Sequence, residues 1–225
     1  MSAVEFALLI SAFLLALGPV AVRLRNRSWV SAVTYTAACG SCAVIAGIGL
    51  AGLLTRGLDS GLLLPLGLPW VGAHFRLDVL SAFFLVVLGV GGGVISFYGV
   101  GYGRHEPEPI RVLAFYPPFL GAMALVLLAA DAFTFLLSWE VMSLLSWALV
   151  LTHHKAESTR TAGYVYLVMA GFGTMSLLLA LGLLAGGDGL YAFDAMRGIA
   201  RSPWITAAIL GLMLLGAGSK AGLAP

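Results

Sequence analysis

Apolar runs of about 20 residues recur along this chain, separated by short polar connections. A hydrocarbon core roughly 30 Å thick needs a helix of about that length to cross it. Such a core admits only helices or closed barrels, because it holds no water to bond the backbone. The runs predict helices over Val4–Val22, Val30–Leu54, Val79–Val100, Val112–Ala130, Ala132–Leu151 and Thr161–Leu184, with a seventh starting near Trp204. The predicted fold class is all-α, a polytopic transmembrane helical bundle of about seven helices. Only 10% of residues are charged, against about 25% in soluble domains, so no soluble core need be sought. The net charge of +2 provides no electrostatic footprint for nucleic acid.

The connections carry less information than the spans. Between the second and third helices, LLLPLGLPWVGAHFRLD is too short and too broken by Pro65 and Pro69 to cross. It reads as a hairpin or an interfacial segment, with Trp70 and Phe75 suited to the headgroup level. Cys39 and Cys42, in ACGSCAV, lie inside an apolar run without the context of a redox motif and read as small packing residues. The first run follows Glu5 and precedes Arg23, Arg25 and Arg27. That is the pattern of a permanent helix with its N-terminus outside, not of a cleaved signal peptide. In this orientation the inner loops hold Arg23, Arg25, Arg27, Arg104, Arg111, Lys155 and Arg160. The outer loops hold Arg56, Arg76, Arg197 and Arg201.

Two charges lie well inside predicted spans. Glu140 sits near the middle of AFTFLLSWEVMSLLSWALVL, as its only ionisable residue. A carboxyl group at that depth costs roughly 2.5–3.5 kcal/mol even on lenient insertion scales, and such groups mark ion or proton sites by default. Lys220 ends WITAAILGLMLLGAGSKAGLAP, where Gly216, Gly218, Gly222 and Pro225 predict that the seventh helix is broken near the lysine. Irregular backbone at membrane depth is tolerated where it lines a cavity or a protein interior. Glu140 and Lys220 are therefore the candidate proton-translocating pair, and Gly218, Gly222 and Pro225 the candidate break. The competing readings are a static salt bridge between two helices, or a lysine that snorkels to the membrane edge.

Ser143, three residues past Glu140, shares its helix face, whereas Ser138 and Ser146 face elsewhere. His153 and His154, in the loop THHKAESTR, offer proton collection at the inner mouth but lack the further ligands of a zinc site. Ser143, His153 and His154 are the candidate polar support. Tyr164, Tyr166, Thr174 and Ser176 give the sixth helix a polar trace, for which ordinary packing is the stronger reading. Gly171 and Gly173 would bring that helix close to the fifth. No phosphate loop, dinucleotide fingerprint or haem or iron–sulfur ligand set is present in the sequence, so no cofactor or metal is expected.

The stretches DAFTFLLSWEVMSL and GSKAGLAP, with AGYVYLVMAGFGTMSLLLALGLL between them, resemble the antiporter-like membrane subunits. That family is shared by respiratory complex I, multi-subunit cation/proton antiporters and membrane-bound hydrogenases. The likeness is strongest to the large subunit (component B) of hydrogenase-4 and formate hydrogenlyase. The resemblance implies a proton-translocating subunit without its own redox centre. The family's W-E motif falls on Trp139–Glu140, and its broken-helix lysine motif on Gly218, Lys220 and Pro225. Family members run to about fourteen helices in two inverted halves, so the expectation is an N-terminal fragment or one half of a split subunit. Residues 1–111 would form the leading helices, and 112–225 the first part of the antiporter-like domain.

The expected partners are the lipid bilayer of the inner (cytoplasmic) membrane, other membrane subunits, and the soluble redox subunits of a hydrogenase- or complex I-like assembly. The expected transported ion is the proton, with sodium as the variant. Two alternatives stand beside this reading: a subunit of a sodium/proton antiporter, and a non-transporting scaffold that anchors soluble redox subunits. Any redox chemistry would belong to the partners.

Overall fold

The computed structural model describes residues 1–55, 60–65, 67, 72–103, 108–188 and 191–223, without the side chains of His153 and Asp188. Arg56, Trp70, Arg104, His105 and Pro225 lie outside that set. Helices α1 (Ala3–Arg23) and α2 (Val30–Leu54) lead into a hairpin of β1 (Ser60–Leu64) and β2 (Ala73–Leu77). Helix α3 (Val79–Tyr102), the short α4 (Pro109–Leu113) and α5 (Tyr116–Leu128) follow. Then come α6 (Ala132–Val150), α7 (Glu157–Ala185), the short α8 (Phe193–Arg197) and α9 (Pro203–Ala221). Among the described residues, seven helical spans are long and apolar enough to cross a membrane, α4 and α5 together making one of them. The all-α polytopic expectation holds.

Local chemistry sets the helix ends. Ser2 and Glu5 form a reciprocal capping box at the start of α1, which satisfies two backbone donors that have no partner within the helix. Asp78 caps α3 by accepting from the Ser81 amide at 2.8 Å. The span expected as one helix over Val112–Ala130 is two. Pro117 and Pro118 have no N–H with which to continue a ladder from α4. They fall in the first turn of α5, where those donors would be unpaired in any case. The hairpin reading of the α2–α3 connection also holds, but Phe75 is buried within the protein. It alternates with Ala73 and Leu77 on the buried side of β2, as the two-residue period of a strand requires.

The chain divides into two compact units. In the first, Met1–Leu62 with Phe75–Leu128, α1 packs on α5 and α2 runs along α3. The buried positions of α1 (Val4, Ala7, Ser11, Leu14, Gly18 and Ala21) recur every three or four residues, the stripe of a helix with one packed face. On α3 the apolar residues Phe83, Val87, Val90, Val94 and Phe97 form an exposed stripe with the same spacing, which suits lipid. Cys42 is buried in α2 and both thiols are free.

The second unit, Leu63–His74 with Ala129–Pro225, holds α6 against α7 and α7 against α9. At its centre is Asp131, 0% exposed. Its carboxylate accepts from the His74 amide at 2.8 Å, the Thr134 amide at 2.8 Å and the Thr134 hydroxyl at 2.6 Å. The backbone around it is tied on both sides, Ala130 N–H to His74 O, Ala132 N–H to Tyr191 O and Phe193 N–H to Ala130 O. The side chain thus caps α6 and fastens β2 to it, while the backbone on either side of it fastens the segment at Tyr191 and Phe193.

Each buried donor left without an acceptor costs about 1–3 kcal/mol, and a lost N-cap about 1 kcal/mol. Asp131→Ala is therefore expected to lower stability by at least about 2 kcal/mol, and Asp131→Asn, which keeps an acceptor, by less. The check is the thermal unfolding midpoint of the purified protein in detergent, wild type against each variant.

Candidate functional site

Glu140 lies eight residues into α6, about 12 Å along an axis roughly 28 Å long at 1.5 Å per residue, so it sits close to mid-span. Its carboxylate accepts from the Thr174 hydroxyl of α7 at 2.6 Å. Farther along the same pair of helices, Ser146 of α6 and Tyr166 of α7 share a hydrogen bond. Six residues forward on α6 correspond to eight residues back on α7, the register of an antiparallel pair. The polar trace on the sixth helix is thus not ordinary packing at Tyr166 and Thr174, which are the side chains that meet α6. Ser176 does follow the bland reading, bonding the Phe172 carbonyl of its own helix.

Lys220 arrives from α9. Its ammonium donates to Ser143 Oγ at 2.7 Å and to Tyr166 Oη at 2.6 Å. It also lies 4.9 Å from the Tyr166 ring centroid and 6.0 Å from that of Trp139, within cation–π range. Close packing brings α9 to this position. At Gly173 a side chain would collide with the Gly216 carbonyl and Ser219 of α9, and at Gly216 with the Gly173 carbonyl and Leu177. Gly173 therefore serves the approach of α9, not the approach of α6 expected from the sequence, and Gly171 meets nothing.

The helix stays regular through Gly216 and Gly218, then leaves the α conformation at Gly222, φ 75°, two residues after Lys220. The Leu223 amide closes back on the Gly218 carbonyl at 2.9 Å, the long bond of a glycine-terminated helix end. The interruption near Lys220 is this left-handed turn. Lys220 occupies the last turn of α9, where the negative end of the helix dipole favours a cation. Its contact with Ser143 sets that helix end level with the middle of α6.

Glu140 and Ser143 are one turn apart on one face of α6, a separation of about 5–6 Å between Cβ atoms. The carboxylate and the ammonium are thus neighbours held by different hydroxyls. Among the described residues they form no direct ion pair, so the static salt bridge is not formed. Of the remaining candidates, Ser143 is buried and belongs to the site, Gly218 and Gly222 form the helix end, and Pro225 lies outside the described residues. His154 is exposed beyond the end of α6, and none of the bonds around Lys220 includes it. His153 has no described side chain.

An apolar cavity of about 580 Å³ lies elsewhere in this unit, lined by residues that include Phe135, Leu181, Met213 and Arg201. It touches neither Glu140 nor Lys220, and Arg201 there donates to the Leu184 carbonyl near the end of α7. Among the described residues no cluster of three or more His, Cys, Asp or Glu is placed to hold a metal.

Residues 129–225 match the family model described as "NADH:quinone oxidoreductase/Mrp antiporter, TM". Hydrogenase-4 component B of Escherichia coli is 32% identical over 152 residues, 67% of this chain and 22% of that protein. Residues 129–225 of this chain belong to that family of antiporter-like membrane subunits. An uncharacterized protein of Mycobacterium tuberculosis is 38% identical over 181 residues, 80% of this chain and 27% of the relative. The fold is shared with a chain of an archaeal respiratory membrane complex, the membrane-bound sulfane sulfur reductase. There the TM-score is 0.77 at 24% identity, covering 97% of this chain and 34% of that one. The chain thus spans about a quarter of the length of the curated relatives it matches. The matched segment begins at the Asp131 cap and contains every residue of the Glu140–Lys220 site.

Sequence reading passed over Asp131, Ser146, Tyr166 and Thr174. Asp131 had a visible signal, the D-x-x-T cap pattern before an apolar run. The three hydroxyls had none, because their meaning depends on the register between helices. Thr174→Val keeps the shape and removes the donor to Glu140. It is expected to shift the carboxyl vibration of Glu140 in infrared difference spectra of the purified protein, whereas Ser176→Ala should leave that band in place.

Proposed function

We propose that this chain forms a proton-translocating part of a larger membrane assembly, with Glu140 and Lys220 as its transfer groups. The observation that carries the reading is a mid-span carboxylate with an ammonium bonded one helical turn farther along the same helix, the two held by separate hydroxyls. Two opposite charges at that depth are expensive unless they are paired and hydrogen-bonded. Hydroxyl partners lower the cost without locking the charges to each other, so a proton can pass between them when the local field changes. Hydrogenase-4 component B, among the relatives, favours an assembly in which soluble redox subunits supply the driving reaction. The chain then sits in the inner membrane with its N-terminus outside, as the arginines after α1 suggest.

A second reading keeps the same pair but couples proton movement to sodium, as in a multi-subunit antiporter. The matched family's description, which names the Mrp antiporter beside the quinone oxidoreductase, favours it.

In inverted vesicles carrying the complete assembly, Glu140→Gln is expected to cut proton uptake at least about tenfold, the low end of what a positioned proton-transfer group contributes, while electron flow continues uncoupled. Proton uptake at the wild-type rate would remove the basis of the proposal. Dependence of that uptake on external sodium would select the second reading.

A further inference from the structure

We propose that Tyr166 and Ser146 form the proton path between Lys220 and the α6–α7 connection; this rests on the proton-transfer reading of Glu140 and Lys220. The argument is a count of hydrogens. Lys220 donates to two hydroxyls, Ser143 at 2.7 Å and Tyr166 at 2.6 Å. A hydroxyl can pass a proton on only if its own hydrogen is aimed at a further acceptor. The Ser143 hydrogen is committed to the Trp139 carbonyl, 2.8 Å away in the preceding turn. That carbonyl cannot release it onward, so the Ser143 branch is closed. Tyr166 differs. With its oxygen accepting from Lys220, its hydrogen is free to lie toward Ser146, the hydroxyl it meets on the facing helix.

The step balances without a further reagent. One proton leaves the Lys220 ammonium for Tyr166 Oη as the phenol proton moves to Ser146 Oγ and the Ser146 proton leaves to water. Lysine is left neutral, and both hydroxyls are restored. Ser146 is half-buried and lies four residues before the end of α6 at Val150, about 6 Å along the axis. Beyond it is the polar stretch Thr152–Arg160, with His154 exposed. Run in reverse, the same step loads a neutral Lys220 from the side of the α6–α7 connection, which is the direction that proton uptake into inverted vesicles requires. Tyr166 also lies under the ammonium as a ring, so replacing it with Phe removes the relay hydrogen and keeps the cation–π support.

The test uses the complete assembly in inverted vesicles, comparing wild type with Tyr166→Phe, Ser146→Ala and Lys220→Met for redox-driven proton uptake, its pH profile and its rate in deuterated buffer. The relay predicts that Tyr166→Phe lowers uptake at least about tenfold, alters the solvent isotope effect and shifts the pH profile, with Ser146→Ala changing the same readouts in the same direction. Wild-type uptake in Tyr166→Phe with none in Lys220→Met would overturn the relay and leave the Glu140–Lys220 reading standing. A slower Tyr166→Phe with unchanged isotope effect and pH profile would reduce Tyr166 to a positioning residue, which also overturns the relay. Wild-type uptake in Lys220→Met would sink both.

Discussion

A charge or an unpaired backbone carbonyl in hydrocarbon must find a partner within the protein, and this constraint governs the second unit. Helix α9 ends at Gly222, level with the middle of α6. The left-handed turn and the Leu223–Gly218 bond close its last carbonyls. The ammonium of Lys220 lies in the same turn, at the negative end of the dipole, with two hydroxyls and two rings around it. A helix end that would be a liability in lipid thus becomes the place where a charge is held.

The surrounding architecture serves that placement. Glycines at 173 and 216 let α9 approach α7 closely enough for a lysine to reach across to α6. The antiparallel register of α6 and α7 supplies Thr174 to the carboxylate and Tyr166 to the ammonium. Asp131 anchors the start of α6, and with it the level at which Glu140 lies, through three hydrogen bonds and three flanking backbone ties. Because that carboxylate is fully buried and its acceptor capacity engaged, it acts as a fastening. Glu140 and Lys220 are half-buried, each with hydroxyl neighbours.

The pair is adjacent without being locked. A direct ion pair in low dielectric would be hard to separate once formed, because each partner would face a desolvation penalty of several kcal/mol. Hydroxyl partners reduce that penalty in either charge state, since a hydroxyl both donates and accepts. That the two charges are held by separate hydroxyls follows from which side chains α7 presents, not from the two charges alone.

Spans, class and the two charged residues were legible in the sequence because each depends on local properties: run length, apolar content and the cost of an ionisable group inside a run. The site's candidates Glu140, Lys220 and Ser143 followed from the same rule, as did the glycines that end α9. What the sequence could not show was register. Ser146 was set aside because it shares no face with Glu140, yet it meets Tyr166 because two antiparallel helices pair at that level. Asp131 was passed over, since a sequence displays a cap but not its burial. Phe75 read as an interfacial aromatic, since nothing local says which side of a two-residue alternation is covered. The sequence by itself determined that this chain crosses a membrane and keeps two charges there. Only the tertiary structure decided what each charge touches, because hydrogen-bond partners 34 to 77 residues apart are chosen by how helices pack, and packing is a property of whole surfaces.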